Sequence, residues 1–220
     1  MNIRTALLVI ACGALIWSCS KNEQKSRSED VPAATAEAPA EDKDVTEVEV
    51  KFEYQMSGIP FDLNGTPVSV AGMTFTPASQ WTDLGASGSQ VASYYYGPLE
   101  GDTDSATVTV HYFGKSSGTI QDGQERWISQ FSMPDGRDPH TATLQYTKVI
   151  DSMNVHVLTL MGNYHLPPDG TVIKEKYRLN GIVVEAPEGN VFLKLTGPEY
   201  TSRIMIEAFI TMVFQIKRTG

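Results

Sequence analysis

Cysteine is almost absent from this 220-residue chain, and both of its cysteines, Cys12 and Cys19, lie near the amino terminus. The chain after Cys19 therefore cannot form an internal disulfide. It also offers no thiol nucleophile and no thiolate ligand for a metal ion. A globular domain in this part of the chain must be held together by its apolar core.

Positive charge and catalytic motifs are scarce as well. The 17 Lys and Arg residues are outnumbered by 26 Asp and Glu residues, so the formal net charge of −9 argues against a nucleic-acid partner. No glycine-rich phosphate loop with a following lysine is present, and residues 85–89 have the composition but not the spacing of a Gly-x-Ser-x-Gly nucleophile motif. The sequence predicts no cofactor and favours a non-catalytic domain.

The apolar run at the amino terminus is too short to be a permanent membrane span. Residues 6–16 provide eleven apolar positions, whereas a helix needs about 20 to cross the hydrocarbon core. Arg4 precedes the run, and a short apolar run after a positive residue is typical of a signal peptide. We therefore assign residues 1–18 to a cleaved signal peptide.

The end of that segment predicts lipid attachment. Ile16-Trp17-Ser18-Cys19 resembles the lipobox of bacterial lipoproteins, in which a diacylglycerol is attached to the cysteine sulfur and the chain is cleaved between Ser18 and Cys19. The alternatives are an ordinary signal peptide with an incidental cysteine, or a buried core segment. Ser20 rather than Asp follows the cysteine, which favours anchoring in the outer membrane, facing the periplasm.

Residues 19–50 differ in composition from the rest of the chain. They contain four basic residues, nine acidic residues and no aromatic residue. Such a segment cannot bury enough apolar surface to fold, so we predict a lipid-anchored, disordered, acidic tether. The alternative for its end is that the alternating residues 47–54 already form the first strand of the domain.

Residues 51–220 are predicted to form a single globular α+β domain. Its fold should be a mainly antiparallel sheet of about six or seven strands, covered on one or both faces by two helices. Alternation and turn residues predict strands over residues 91–96 and 106–113 and hairpins over 68–76, 144–162 and 177–195. A 3.6-residue period predicts helices over residues 118–131 and 198–216.

Single residues predict three further details of these elements. Asn180-Gly181 could form a turn, but we predict a continuous strand with a glycine bulge. Phe131 is expected on the apolar stripe of the first helix. Lys217 and Arg218 are expected at the carboxyl end of the last helix, where positive charge complements the helix dipole.

Aromatic and glycine residues form a set of short motifs across most of residues 68–216. They are Tyr112-Phe113-Gly114, Arg126-Trp127-Ile128, Gln130-Phe131, Gly162, Tyr164, Tyr177-Arg178-Leu179, Gly181, residues 192–198 and Phe209. These motifs resemble an uncharacterised group of exported bacterial proteins and lipoproteins. That group is similar in fold to the PsbP-like α/β/α sandwich, so the resemblance implies a non-enzymatic scaffold that docks to partners. No site residue can be carried over from it, because the group has no assigned activity.

Two sets of residues are candidate metal ligands. No histidine pair has the spacing of a helical zinc site, and a satisfied or exposed histidine is the commoner outcome; the four are His111, His140, His156 and His165. The alternating carboxylates Glu100, Asp102 and Asp104 could supply oxygen ligands to calcium. The simpler interpretation is a solvated acidic turn between two strands.

These observations predict a membrane-anchored envelope lipoprotein whose domain binds or helps to assemble another envelope protein. One alternative is a hydrolase acting on envelope polymers, and another is a module that binds calcium or a small ligand. A deep cleft with convergent carboxylates would favour the hydrolase, whereas a shallow apolar patch would favour docking to a protein.

Overall fold

The computed structural model describes residues 60–99, 101–115 and 118–219. The predicted signal peptide, the lipidated Cys19, the tether, the strand at residues 47–54 and Glu100 lie outside the described residues. The described elements are, in chain order, β1 (Val68–Val70), β2 (Met73–Phe75), β3 (Thr82–Asp83), β4 (Gln90–Tyr96), β5 (Ala106–Tyr112), α1 (Ile120–Ile128), β6 (Phe131–Ser132), a 3-10 helix (Pro139–Ala142), β7 (Leu144–Ile150), β8 (Met153–His165), β9 (Ile173–Ala186), β10 (Gly189–Pro198), α2 (Glu199–Phe214) and β11 (Lys217–Arg218).

The strands form one large and one small antiparallel sheet. The large sheet has eight strands in the order β3-β4-β5-β10-β9-β8-β6, with β7 also paired to β8. The small sheet has the order β1-β2-β11. The predicted α+β class with a mainly antiparallel sheet is confirmed. No α-helix among the described residues is both long enough and apolar enough to cross a membrane.

The two helices lie on opposite faces of the large sheet. In β9, Ile182 and Val184 belong to a core that contains the buried side of α2, whereas Leu179 and Val183 belong to a core that contains Trp127 of α1. Neighbouring strand residues point to opposite faces, so each strand contributes to both cores. The sandwich therefore has a helix layer on each side, a point that the sequence left open.

The predicted hairpins are confirmed, and their turn residues explain why they form. Ala71 and Gly72 both have positive φ between β1 and β2, and Asp151 and Ser152 have positive φ between β7 and β8. Two successive positive φ values are the geometry of the turn that best matches the twist of a two-residue hairpin. Strands β9 and β10 turn more tightly than predicted, at residues 187–188.

Three expectations from the sequence are wrong in detail. Strand β9 is continuous through Asn180-Gly181, but its register with β8 and β10 shows no bulge there; the irregularity lies between Gly162 and Tyr164 of β8. Phe131 lies in β6 rather than on α1. Residues 217–218 form β11, which pairs with β2, so they extend the small sheet instead of ending α2.

Candidate functional site

Helix α1 covers only part of its face of the large sheet, and two glycines fix how closely it approaches. A Cβ atom on Gly181 of β9 would collide with the indole ring of Trp127. Similarly, a Cβ atom on Gly123 of α1 would collide with the ring of Phe192 on β10. The helix therefore packs tightly against Gly181 of β9 and Phe192 of β10, and the rest of this face of β10 and β5 lies uncovered beside it.

The uncovered surface forms the floor of a cleft of about 660 Å³. This volume falls within the roughly 300–1,000 Å³ of typical small-molecule sites. Alternate residues of two paired strands line the floor, because positions two apart point to the same face. The floor residues are Thr107, Thr109 and His111 of β5 and Phe192, Lys194 and Thr196 of β10.

Lys194 is the central charged group of the floor. Its Nζ atom donates a hydrogen bond to Oε1 of Gln130 at 3.3 Å and lies 5.5 Å from the centroid of the Tyr164 ring. No carboxylate of the described residues forms an ion pair with Lys194, and the same holds for Arg126, which lines the helix side of the cleft. Burial lowers the pKa of Lys194 to about 8. The cleft thus holds two positive charges without a contact ion pair among the described residues, and the acidic group that interacts with Arg126, Asp122 one turn earlier on α1, does so at longer range.

Two further polar groups of the floor are buried without a hydrogen-bond partner among the described residues. They are Nδ1 of His111 and Oγ1 of Thr196. Burial, and then the positive charges of Lys194 and Arg126, lower the pKa of His111, so the imidazole is neutral at pH 7. Buried polar atoms are normally paired, and these two lie on either side of Lys194 along the cleft.

Aromatic rings form the walls of the cleft. The rings of Trp127 and Phe192 meet edge to face at 6.1 Å, and Phe113 packs against Phe192 at 5.9 Å. At the other end, Tyr164 and Tyr177 stack at 5.6 Å. These walls give the cleft an apolar character around its charged centre.

The described lining contains one carboxylate, Asp104, and it is already engaged. Its Oδ2 atom accepts hydrogen bonds from Lys174 at 2.9 Å and from the Tyr177 hydroxyl at 2.8 Å. These bonds hold the pKa of Asp104 below its usual range, and burial together with Asp104 raises the pKa of Tyr177. Asp104 and Lys174 neutralise each other, so the excess charge of the lining stays positive.

The other three histidines are held by local partners away from this floor. His140 lies 2.7 Å from Glu125 and 2.8 Å from Asp138, which raises its pKa. The remaining two have partners on neighbouring strands: His156 lies 2.6 Å from Glu185, and His165 lies 2.8 Å from Ser132. Across the part of the chain that the structure describes, no group of three His, Cys, Asp or Glu side chains could hold a metal ion.

The two described carboxylates of the segment proposed for calcium, Asp102 and Asp104, form hydrogen bonds to other parts of the fold. Oδ2 of Asp102 accepts hydrogen bonds from the backbone N–H of Thr201 at 2.7 Å and from its hydroxyl at 2.6 Å. Helix α2 begins after Pro198, whose side chain provides no cap, so Asp102 supplies an acceptor and a negative charge to the start of the helix. Asp104 is engaged at the cleft.

We expect Asp102→Ala to lower the free energy of unfolding by about 1–2 kcal/mol, because two donors at the start of α2 lose their acceptor. Urea denaturation of the full chain measures this change. The matched control is Glu175→Ala, which removes an exposed carboxylate and should be neutral within about 0.5 kcal/mol. A calcium-dependent rise in melting temperature that Asp102→Ala abolishes would instead support the calcium site.

The sequence did not identify the cleft residues as a site. Two signals were present. The first is Lys194, which interrupts the apolar run of residues 191–195 between Leu193 and Leu195, both fully buried. A lysine is rarely found within a buried strand unless it is paired. The second signal, the polar residues Thr107, Thr109 and His111 alternating with valines, indicated a polar face but not that this face lies in a cleft.

Comparison with known proteins gives no assignment. No protein-family model matches the chain, and no curated protein matches it. Among solved structures, the chain is similar to LpqN, involved in cell envelope biogenesis of Mycobacterium tuberculosis, with 12% identity, a TM-score of 0.42 and coverage of 75% of this chain and 88% of that one. It is also similar to a Pseudomonas aeruginosa protein of unknown function, PA94, with 10% identity, a TM-score of 0.33 and coverage of 68% and 94%.

Both likenesses are too distant to carry an argument about function. The resemblance to an exported bacterial family with a PsbP-like sandwich therefore stays a prediction. What the cleft can do has to be inferred from its own residues.

Proposed function

We propose that this protein is a non-catalytic binding module that holds a small organic ligand in the cleft beside α1. The observation that carries the proposal is the cleft itself, an apolar-walled cavity of about 660 Å³ with a few convergent polar groups. This combination is typical of small-molecule sites. The proposal corresponds to the small-ligand alternative rather than to the docking surface that the sequence favoured.

The described lining of the cleft does not offer the carboxylate pair that a hydrolase of envelope polysaccharides would use. A hydrolase of envelope polymers needs a pair of carboxylates or a nucleophile with an adjacent base. The described lining has one carboxylate, Asp104, and it is bonded to Lys174 and Tyr177. Catalysis by a carboxylate pair is therefore unsupported in the cleft.

The proposal includes a location for the module. The lipobox-like segment ending at Cys19 and the acidic composition of residues 19–50 support a domain held on a short tether from the membrane of the bacterial envelope, with the outer membrane favoured by Ser20. The envelope protein partner expected from the sequence stays a prediction.

Blocking the cleft tests the proposed function. Thr109 lies at the middle of the floor, so Thr109→Trp should fill the cavity and weaken binding of the neutral dye N-phenyl-1-naphthylamine by at least about ten-fold. Fluorescence titration of the full chain measures the affinity. Gln145→Trp is the matched control, because it adds the same ring on the exposed face of β7 and should leave the affinity unchanged. Equal binding by a folded Thr109→Trp variant would contradict the proposal.

A further inference from the structure

We propose that the ligand is an amphiphilic organic anion, whose negatively charged head lies at Lys194 and Arg126 and whose apolar body lies against the aromatic walls. This inference rests on the proposed function and names the chemical class of its ligand. The charge at the centre of the cleft is its first support. The chain carries a net charge of −9, yet neither cation forms an ion pair with a carboxylate of the described residues.

The second support is the set of polar groups beside Lys194. Thr196 is 5% exposed, and its hydroxyl has no hydrogen-bond partner among the described residues; the same is true of Nδ1 of His111. In the sheet, Lys194 pairs with Thr109, and the neighbouring pairs on the same face are Phe192 with His111 and Thr196 with Thr107. In the tautomer that carries the proton on Nδ1 of His111, an anion that reaches these two shielded groups would accept hydrogen bonds from them and from the ammonium together. Leaving such groups unpaired in a buried site is costly.

The third support is the apolar wall, which explains why the ligand should be more than an inorganic ion. The rings of Trp127, Phe192 and Phe113 line one end of the cleft. Leu166 lines the opposite end while 40% exposed, and its backbone N–H donates to the carbonyl of Val172 at 2.8 Å. Val172 is also exposed. The apolar lining therefore reaches the surface at Leu166, where the body of a long ligand could extend.

Two dyes that have the same aromatic body but differ in charge separate the contribution of the ligand's charge to binding from that of its apolar contacts. 1-Anilinonaphthalene-8-sulfonate carries a negative charge, and N-phenyl-1-naphthylamine does not. Lys194→Met keeps an unbranched apolar side chain but removes the ammonium. It should therefore weaken binding of the sulfonate dye by at least about ten-fold and change the affinity for the neutral dye by less than about two-fold. The matched control is Lys217→Met, which removes an exposed lysine from β11 and should change neither affinity.

The pH dependence provides an independent readout on the unmodified protein. Above pH 8 Lys194 loses its proton, because burial sets its pKa at about 8. Affinity for the sulfonate should therefore fall as the pH rises through about 8, while affinity for the neutral dye stays level. A flat sulfonate profile in the wild type would contradict the role of Lys194. The other charged or titratable groups that line the cleft are Arg126 on α1, His111 on β5, Tyr164 on β8, Lys174 and Tyr177 on β9, and Asp104 before β5.

Displacement of the sulfonate dye identifies the kind of anion. Both decanoate and 2-naphthoate should displace it. Stronger displacement by decanoate would indicate a fatty-acyl ligand, and stronger displacement by 2-naphthoate would indicate a soluble aromatic ligand. Inorganic phosphate at the same concentration should displace it at least about ten-fold less well. Equal displacement by phosphate would contradict the proposal that the ligand is amphiphilic. It would indicate a site for simple anions instead.

The two proposals fail in different ways. If Thr109→Trp leaves both dyes bound, the cleft is not the binding site and the proposed function is wrong. If Thr109→Trp removes both dyes but Lys194→Met weakens them equally or not at all, the cleft binds ligands without selecting anions, and only this inference is wrong.

Discussion

Gly181→Ala is expected to lower the free energy of unfolding by about 1–3 kcal/mol, although it adds only a methyl group. Gly181 lies in the middle of β9, paired to both neighbouring strands, and a Cβ atom there would collide with the ring of Trp127. Trp127 is itself buried between α1 and the sheet, so the methyl group must displace the helix or force the indole from its preferred rotamer. Urea denaturation followed by circular dichroism measures the loss.

The loss of stability caused by Gly181→Ala should disappear when the indole ring of Trp127 is removed. In a Trp127→Leu background, which has its own cost from the lost ring, the same Gly181→Ala change should be near neutral. The double-mutant cycle should therefore give a coupling of at least about 1 kcal/mol. Additive effects of the two substitutions would show that the strand, rather than the contact with α1, requires glycine at this position.

Gly181 also shows where prediction from the sequence reaches its limit. The strand around it was correctly predicted as continuous, because a turn at Asn180-Gly181 would leave only a three-residue strand before it. The reason for the glycine was missed, since its partner Trp127 is 54 positions away in sequence and belongs to another element. Local patterns specify which residues point to one face, but not which residue of a distant helix meets them.

The same limit applies to the small strands and to the cleft. The hairpins could be predicted because their turn residues are local signals, such as Asp151-Ser152 between β7 and β8. Strands β3, β6 and β11 each have two residues, which is too short for alternation to be recognised. The cleft exists because α1 leaves part of the sheet uncovered, and no local sequence pattern specifies how much of a sheet a helix covers.

Cys19→Ala is expected to move the protein completely from the detergent-rich phase to the aqueous phase in phase partitioning and to abolish labelling with a radioactive fatty acid. The reason is chemical: alanine offers no sulfur to which diacylglycerol could be attached. Each buried acyl methylene contributes about 0.8 kcal/mol to membrane binding, so the two chains of a diacylglycerol hold the protein far more firmly than a single chain does. No α-helix in the described part of the chain could replace them as a membrane span.

Cys12→Ala is the matched control, because it removes the only other cysteine while lying inside the predicted signal peptide. If the peptide is cleaved before Cys19, the mature protein of this control is identical to the wild type and should partition and label normally. Loss of labelling in both variants would indicate a general failure of export. Retained labelling in Cys19→Ala would show that the lipid is attached elsewhere, and would remove the support for a tethered module.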